Sequence, residues 1–213
     1  MKTKVKDVMT TPVVAVKPTA SFRELAAALR RHRISALPVV DDDAKLIGIV
    51  SEADMLAKEA LYGSHGGVIA DRLPLREREK ADGVIAGELM TRQTVTVTPD
   101  DTVEQAAQLM YHLRVKRLPV TDPDGHLVGI VSRSDMLAVY ERSDEQILAE
   151  ITGDVIQREL LIDPALFTVT VADGVVTLQG SPETAAIGRA LAEKARAVPG
   201  VVALRDELTY PAA

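Results

Sequence analysis

The residues best suited to chemistry are two matched pairs, Ser51-x-x-Asp54 and Ser132-x-x-Asp135, following Gly48-Ile49-Val50 and Gly129-Ile130-Val131. A hydroxyl and a carboxylate three residues apart at a helix start form a capping box, which satisfies the first backbone N–H groups. An acid in the first turn also gains from the helix dipole. The same helix start presents free N–H groups to an anion such as a phosphate. Four cations, Arg33, Arg114, Lys116 and Arg117, lie close in sequence to the strands before these pairs and are suited to neutralising such a group. The run Arg30-Arg31-His32-Arg33 reads equally well as a solvated helix end.

Bond-breaking chemistry has no comparable set of residues. The four histidines, His32, His65, His112 and His126, show neither metal-ligand spacing nor a nucleophile motif. There are no cysteines, which excludes disulfides, thiolate metal sites and cysteine nucleophiles. Paired carboxylates fall in turns, as in Asp41-Asp42-Asp43 and Asp100-Asp101, and Gly66-Gly67 lacks the Lys-Ser or Lys-Thr of a phosphate loop. No catalytic residue and no metal site is expected, and the chain reads as non-enzymatic.

The elements that carry the Ser/Asp pairs form an internal repeat. A shift of 81 residues superimposes Met9-Thr10 on Met90-Thr91, Leu37-Pro38-Val39 on Leu118-Pro119-Val120, and Leu46–Ser51 on Leu127–Ser132, without a gap from Met9 to Leu56. In each copy, Val14 and Val16, or Val95 and Val97, alternate as a short strand. The helix starts Ser21-x-x-Glu24 and Thr102-x-x-Gln105 follow, with Phe22, Leu25, Ala26 and Leu29, or Val103, Ala106, Ala107 and Met110, on one face. Two strands joined by an acidic turn and a second helix complete a β-α-β-β-α unit.

After Arg142 the pattern changes. Ile147, Ile151 and Val155 point to a helix, Phe167–Val171 and Val175–Leu178 to a hairpin across Asp173-Gly174, and Ser181-Pro182 to a helix start. A strand from Val201 to Leu208 closes a small α-β-β-α-β domain. The expected division is residues 1–62 and 88–142 for the repeats, 63–87 for a linker and 143–213 for the last domain.

With 25 Lys+Arg against 31 Asp+Glu, the chain carries a net charge of -6, all of it in residues 143–213, which hold 5 basic and 11 acidic residues. This balance argues against a protein built to grip nucleic acid or an anionic membrane. No apolar run approaches the roughly 20 residues of a membrane span, and Met1–Met9 leads into no signal-peptide apolar region, so a cytoplasmic location is expected.

The two repeats resemble a tandem pair of CBS domains, a Bateman module. The resemblance is carried by Asp7-Val8-Met9-Thr10, Arg33–Val40 and Gly48–Asp54, each with its partner 81 residues on. The tail resembles a BON domain through Val171–Gly180 and Val198-Pro199-Gly200-Val201. The implied fold class is α+β: two CBS repeats forming a pseudo-twofold pair, plus a BON-like domain.

The CBS resemblance implies adenine-containing ligands, AMP, ADP, ATP or S-adenosylmethionine, in two clefts between the repeats. It assigns Asp54 and Asp135 to the ribose hydroxyls and Ser51 and Ser132 to ribose or phosphate. Ile34, Ser35 and Ala36, with Pro38, would face Ser132 and Asp135. Val115, Lys116 and Arg117, with Pro119, would face Ser51 and Asp54, and Thr11 lies in the segment that lines these pockets. One carboxylate suits a vicinal diol, since each charge-assisted bond is worth about 1.5–3 kcal/mol net. No cofactor is implied beyond this regulatory ligand. The expected partners are a second copy, forming a homodimer, and a protein contacted by the tail. The alternatives are an interaction scaffold with empty clefts and a nucleic-acid-binding regulator using Arg30–Arg33 and Lys116-Arg117.

Overall fold

A computed structural model describes residues 3–62 and 83–210, so most of the linker expected at 63–87, Gly66-Gly67 included, lies outside the described residues. In chain order the elements are α1 (Val5–Val8), α2 (Phe22–His32), β1 (Ala36–Val40), β2 (Leu46–Ser51), α3 (Glu52–Tyr62), α4 (Ala86–Leu89), α5 (Val103–His112), β3 (Arg117–Thr121), β4 (Leu127–Ser132) and α6 (Arg133–Leu137). A 3₁₀ turn (Ala138–Glu141) leads to α7 (Asp144–Ala149), a π-helix (Glu150–Glu159), a second 3₁₀ turn (Pro164–Leu166), β5 (Phe167–Ala172), β6 (Val175–Gly180), α8 (Ala185–Arg196) and β7 (Ala203–Leu208). The chain packs as two compact units, one of Met9–Asp101 and Leu109–Ser132, the other of Met1–Val8, Thr102–Gln108 and Arg133–Ala213.

In the first of these units α2 starts where its sequence caps it. Ser21 Oγ accepts the Glu24 N–H at 3.3 Å, and the Glu24 carboxylate accepts the Ser21 N–H at 2.7 Å. The Ser21 N–H and, at 2.8 Å, the Ser21 hydroxyl both donate to the Glu24 carboxylate and hold its carboxyl below its ordinary value, the backbone bond first. Leu25 and Leu29 pack into a buried cluster with Leu37, Val39 and Val50 of the first hairpin and Leu89 and Met90 beyond the linker. The hairpins share one register: Ala36 opposes Ser51 and Pro38 opposes Ile49, as Arg117 opposes Ser132 and Pro119 opposes Ile130. The first strand of each repeat is a single parallel bridge, Val16 to Val39 and Val97 to Val120.

Three reciprocal contacts join the repeats. Thr10 and Ile130 exchange backbone bonds of 2.9 and 3.2 Å, and Thr91 and Ile49 exchange bonds of 2.9 and 3.1 Å. At the hairpin tips, Leu46 N–H donates to the Gly125 carbonyl at 3.0 Å and Leu127 N–H to the Ala44 carbonyl at 3.2 Å. The glycine before each Ile-Val-Ser run makes room for the other repeat's methionine. A Cβ on Gly48 would lie 2.5 Å from Met90 Sδ, and one on Gly129 would collide with Met9 Sδ.

The other unit holds the C-terminal domain. Its sheet runs β5-β6-β7, with β5 and β6 antiparallel and β6 and β7 parallel, over a core that includes Ile147, Ile151, Ile156, Phe167, Leu178 and Leu191. α7 starts on a capping box at Ser143 and Gln146 and widens into the π-helix. Thr152 Oγ1 takes the Leu148 carbonyl at 2.8 Å, a side-chain bond that competes with the backbone ladder where the helix loosens. The helix start expected at Ser181-Pro182 lies further on. Thr184 caps α8, accepting the Ile187 N–H, while Ser181 Oγ pairs with Thr209 Oγ1 at 2.6 Å. Pro182 is buried against the Gly188 face of that helix, so its packing replaces the first-turn role.

Candidate functional site

β2 delivers Ser51 to the start of α3, and the Asp54 carboxylate turns back onto it. Asp54 Oδ2 accepts the Ser51 N–H at 2.8 Å and the Ser51 hydroxyl at 2.7 Å, with both side chains half-buried. These bonds fix the carboxylate beside the helix N-terminus, where the dipole favours its charge. The neighbouring wall is Ser35-Ala36 of the same repeat, where the resemblance implies Val115, Lys116 and Arg117 of the other. Ala36 opposes Ser51 in the hairpin, and the Ser35 carbonyl accepts the Glu52 N–H at 3.0 Å.

The Arg117 guanidinium donates to Ser35 Oγ across the two repeats. Arg117 stands opposite Ser132 in its own hairpin, so one side chain links the Ser35 wall to the strand end that carries Ser132. The structure thus gathers Ser35, Ala36, Ser51, Asp54, Arg117 and Ser132 in one unit. Ile34 and Val115 are half-buried beside them, and Lys116 is exposed. Pro38 and Pro119 are buried within the hairpins, their carbonyls accepting the Val16 and Val97 N–H groups. Thr11 is exposed and adjoins Thr10, which pairs with β4.

Asp135 lies on α6, in the other unit, and lines a cleft of about 410 Å³ with Thr3, Asp7, Val8, Arg142 and Pro199 among its walls. A second open cleft, of about 530 Å³ between Lys17 and Arg31-His32, contains none of the expected ligand residues. Among the described residues, Asp122, Asp124 and His126 bring ligand atoms within 4.8 Å of one another. The turn itself accounts for this group, since Asp122 Oδ1 accepts the Asp124 and His126 N–H groups at 3.0 and 2.8 Å. Partial burial pushes the Asp122 carboxyl up, but the His126 N–H and imidazole outweigh it and hold it below its ordinary value. No described helix is long and apolar enough to cross a membrane.

The CBS domain family matches residues 5–60 and 86–142. The chain belongs to that family. The BON domain family matches residues 143–212, after the CBS pair. Chloroplastic CBSX1 of Arabidopsis thaliana is 34% identical over 134 residues, covering 57% of this chain, and the match spans 56% of that relative's own length. A solved structure of CBSX2 in complex with AMP is 32% identical, covering 64% of this chain and 94% of that one at a TM-score of 0.56. The CBS domain pair of protein MJ0100, solved with 5′-methylthioadenosine and S-adenosyl-L-methionine, is 28% identical, covering 66% and 98% at a TM-score of 0.53.

Sequence reasoning found the Ser/Asp pairs but missed the contacts that unite the CBS repeats. The repeat aligns Gly48 with Gly129 and Met9 with Met90, yet translation along a chain does not say that each methionine covers the other copy's glycine. The reach of Arg117 to Ser35 likewise has no local sequence signal.

Proposed function

We propose that this protein is a non-enzymatic regulatory sensor that binds an adenine nucleotide through Ser51/Asp54 and Ser132/Asp135 and relays occupancy through the BON domain. The observation that carries this reading is the Asp54 carboxylate, held by two hydrogen bonds at a helix N-terminus beside Ser35 and Ala36. The related structures with AMP and with S-adenosyl-L-methionine support an adenine-containing ligand. Arg117 supplies a cation for phosphate, and the protein acts in the cytoplasm as a homodimer.

Isothermal titration of the whole chain with AMP, ADP, ATP and S-adenosylmethionine tests the reading. Saturable micromolar binding is expected, with Asp54→Ala and Asp135→Ala each weakening one class of site at least about tenfold, the cost of one charge-assisted bond. Absence of heat and of thermal stabilisation with all four refutes it.

A scaffold reading has one observation in its favour, because the Ser51–Asp54 bonds are also those of a helix cap. It predicts that Asp54→Ala lowers stability by about 0.5–2 kcal/mol and leaves no ligand effect to lose.

A further inference from the structure

The sheet of the BON domain ends on β5 at one side and on β7 at the other, and each pairs only with β6. Asp173 and Gly174, at φ +51° and +73°, form the two-residue turn between β5 and β6, which makes Ala172 and Val175 a hydrogen-bonded pair. Antiparallel pairs alternate in kind, so Thr168 and Thr170 bond to β6 while the N–H and C=O groups of Phe167, Val169 and Val171 point away from it. Among the described residues, nothing pairs with those outward groups.

The two edges differ in how they are guarded. β7 carries Arg205, Asp206 and Glu207, charges that make a strand edge a poor template for pairing. β5 reads Phe-Thr-Val-Thr-Val-Ala, without charge or proline, and its register with β6 runs without a bulge. Its faces are sorted, with Phe167, Val169 and Val171 packed toward the core and Thr168 and Thr170 exposed. Leu166, directly before the strand, is 48% exposed, and Leu161 is 84% exposed. The exit turn is held by the Asp144 carboxylate, which accepts the N–H groups of Asp173 and Gly174, each at 2.8 Å. An added strand would meet a preorganised edge with free hydrogen-bonding groups and uncovered leucines at its approach.

Charge selects the occupant. From Leu160 to Gly188 the sequence contains Asp163, Asp173 and Glu183 and no Lys, Arg or His. Asp163 stands before the 3₁₀ turn that enters β5 and Asp173 at the strand's exit, and both are exposed. A second copy pairing antiparallel on the same edge would bring the Asp173 end of one strand to the Asp163 end of the other, carboxylate toward carboxylate. We propose that β5 is a docking edge for an extended segment of a partner protein that alternates apolar and small polar residues and carries Lys or Arg at both ends. The basic ends meet Asp163 and Asp173, and the alternation matches the core-facing valines and the exposed threonines. Docking of this kind needs no nucleotide in the CBS pair.

The probe is the fluorescein-labelled peptide Lys-Lys-Thr-Val-Thr-Val-Thr-Lys-Lys, whose sequence is the same in both directions and so suits either strand polarity. Anisotropy with the full chain is expected to show saturable binding. It should weaken at least about tenfold when every Thr and Val of the peptide is N-methylated, and by a similar factor when Glu replaces each Lys. Hydrogen exchange locates the site: the Val169 and Val171 amides exchange readily in the free chain and slow at least about tenfold with saturating peptide. Val169→Pro removes one outward donor without touching a β6 bond and should weaken binding to the same extent. Where that variant does not fold, the N-methylated peptide makes the same test on the unaltered chain. No binding, binding that survives N-methylation, equal binding of the Glu peptide, or Val169 and Val171 amides already protected in the free chain overturns the proposal. So does sedimentation in which Val169→Pro dissociates an oligomer, since a second copy would then hold β5. None of these outcomes bears on titration with AMP, which tests the nucleotide reading separately.

Discussion

Substituting the two motif glycines by alanine separates the roles of sequence symmetry and packing. At Gly48 the added methyl meets Met90 Sδ at 2.5 Å, Met90 Cγ at 2.9 Å and the Thr91 carbonyl at 3.0 Å. Met90 is only 5% exposed, so it has little room to swing away, and the Thr91 oxygen is backbone that accepts the Ile49 N–H at 3.1 Å. At Gly129 the three nearest atoms all belong to the Met9 side chain, and Met9 is half-buried, with solvent to move into. Alanine gains about 0.5–1 kcal/mol over glycine in a strand, and overpacking costs about 1–3 kcal/mol. Loosening the Ile49–Thr91 bond adds about 0.5–1.5 kcal/mol at Gly48. Gly48→Ala should therefore destabilise by about 2–3 kcal/mol and Gly129→Ala by about 1 kcal/mol or less.

Urea unfolding measures both, and for a chain of this size Gly48→Ala should lower Tm by about 5–10 °C. The decisive version is a cycle with Met90→Ala. That substitution alone costs about 2–5 kcal/mol, but it removes the obstacle, so the double variant should fall short of the sum by at least about 1 kcal/mol. Equal costs at Gly48 and Gly129, or strict additivity with Met90→Ala, would refute the packing argument.

Ala44 occupies the left-handed region at φ +63°, where its counterpart Gly125 has φ +86° and a Cβ there would meet nothing within 4 Å. Ala44→Gly should raise stability and Gly125→Ala lower it, each by about 1 kcal/mol, read as opposite shifts of the urea midpoint. In the C-terminal domain, Lys194 holds the Glu159 carboxyl below its ordinary 4.5, first by a hydrogen bond and then by its charge. The unfolded chain then binds the proton more readily, so this contribution is complete above that value and is lost as pH falls through the folded one. Lys194→Met should flatten that part of the stability profile as pH falls below 4.5, as followed by acid titration of ellipticity. Arg117→Ala makes the repeats alike at the position of Ala36 and should narrow the difference between the two nucleotide affinities seen by calorimetry; an undiminished difference would assign the asymmetry elsewhere.

The features legible in the sequence are those set by neighbours along the chain. The capping boxes at Ser21 and Thr102 form as the residues require, Thr102 N–H reaching Gln105 Oε1 at 2.8 Å. The hairpins follow their alternation and their acidic turns, in which Asp41 Oδ1 accepts the Asp43 and Lys45 N–H groups at 3.1 and 2.9 Å. Ser181-Pro182 misled because its local chemistry suits a helix start, while the nearby buried face that Pro182 fills is formed by residues as distant as Tyr210. The π-helix reads as an ordinary helix in the sequence for a related reason. Buried Ile151, Val155 and Ile156 satisfy a 3.6-residue spacing nearly as well as a wider one, and the Thr152 bond that helps decide between them carries no periodic signature. The Ser/Asp pairs were legible as a motif, but the side chains that meet them come from positions that only the paired hairpins bring close.

The break in symmetry at those positions has a physical basis. Translation by 81 residues carries Ser35 onto Lys116 and Ala36 onto Arg117, whereas the strand ends they oppose, Ser51 and Ser132, are the same in both copies. Ala36 is 3% exposed, so a guanidinium there would have to enter a packed wall, while Arg117 is half-buried and its side chain crosses to Ser35. Arginines at both positions would bring two like charges together where water screens them poorly. Alanines at both would leave Ser35 without its donor from the other repeat. A single arginine places one cation between otherwise equivalent strand ends and leaves no symmetric partner to oppose it. The duplicated sequence repeats the Ser-x-x-Asp motif, and Arg117 against Ala36 is a side-chain difference that sets the two copies apart beside it.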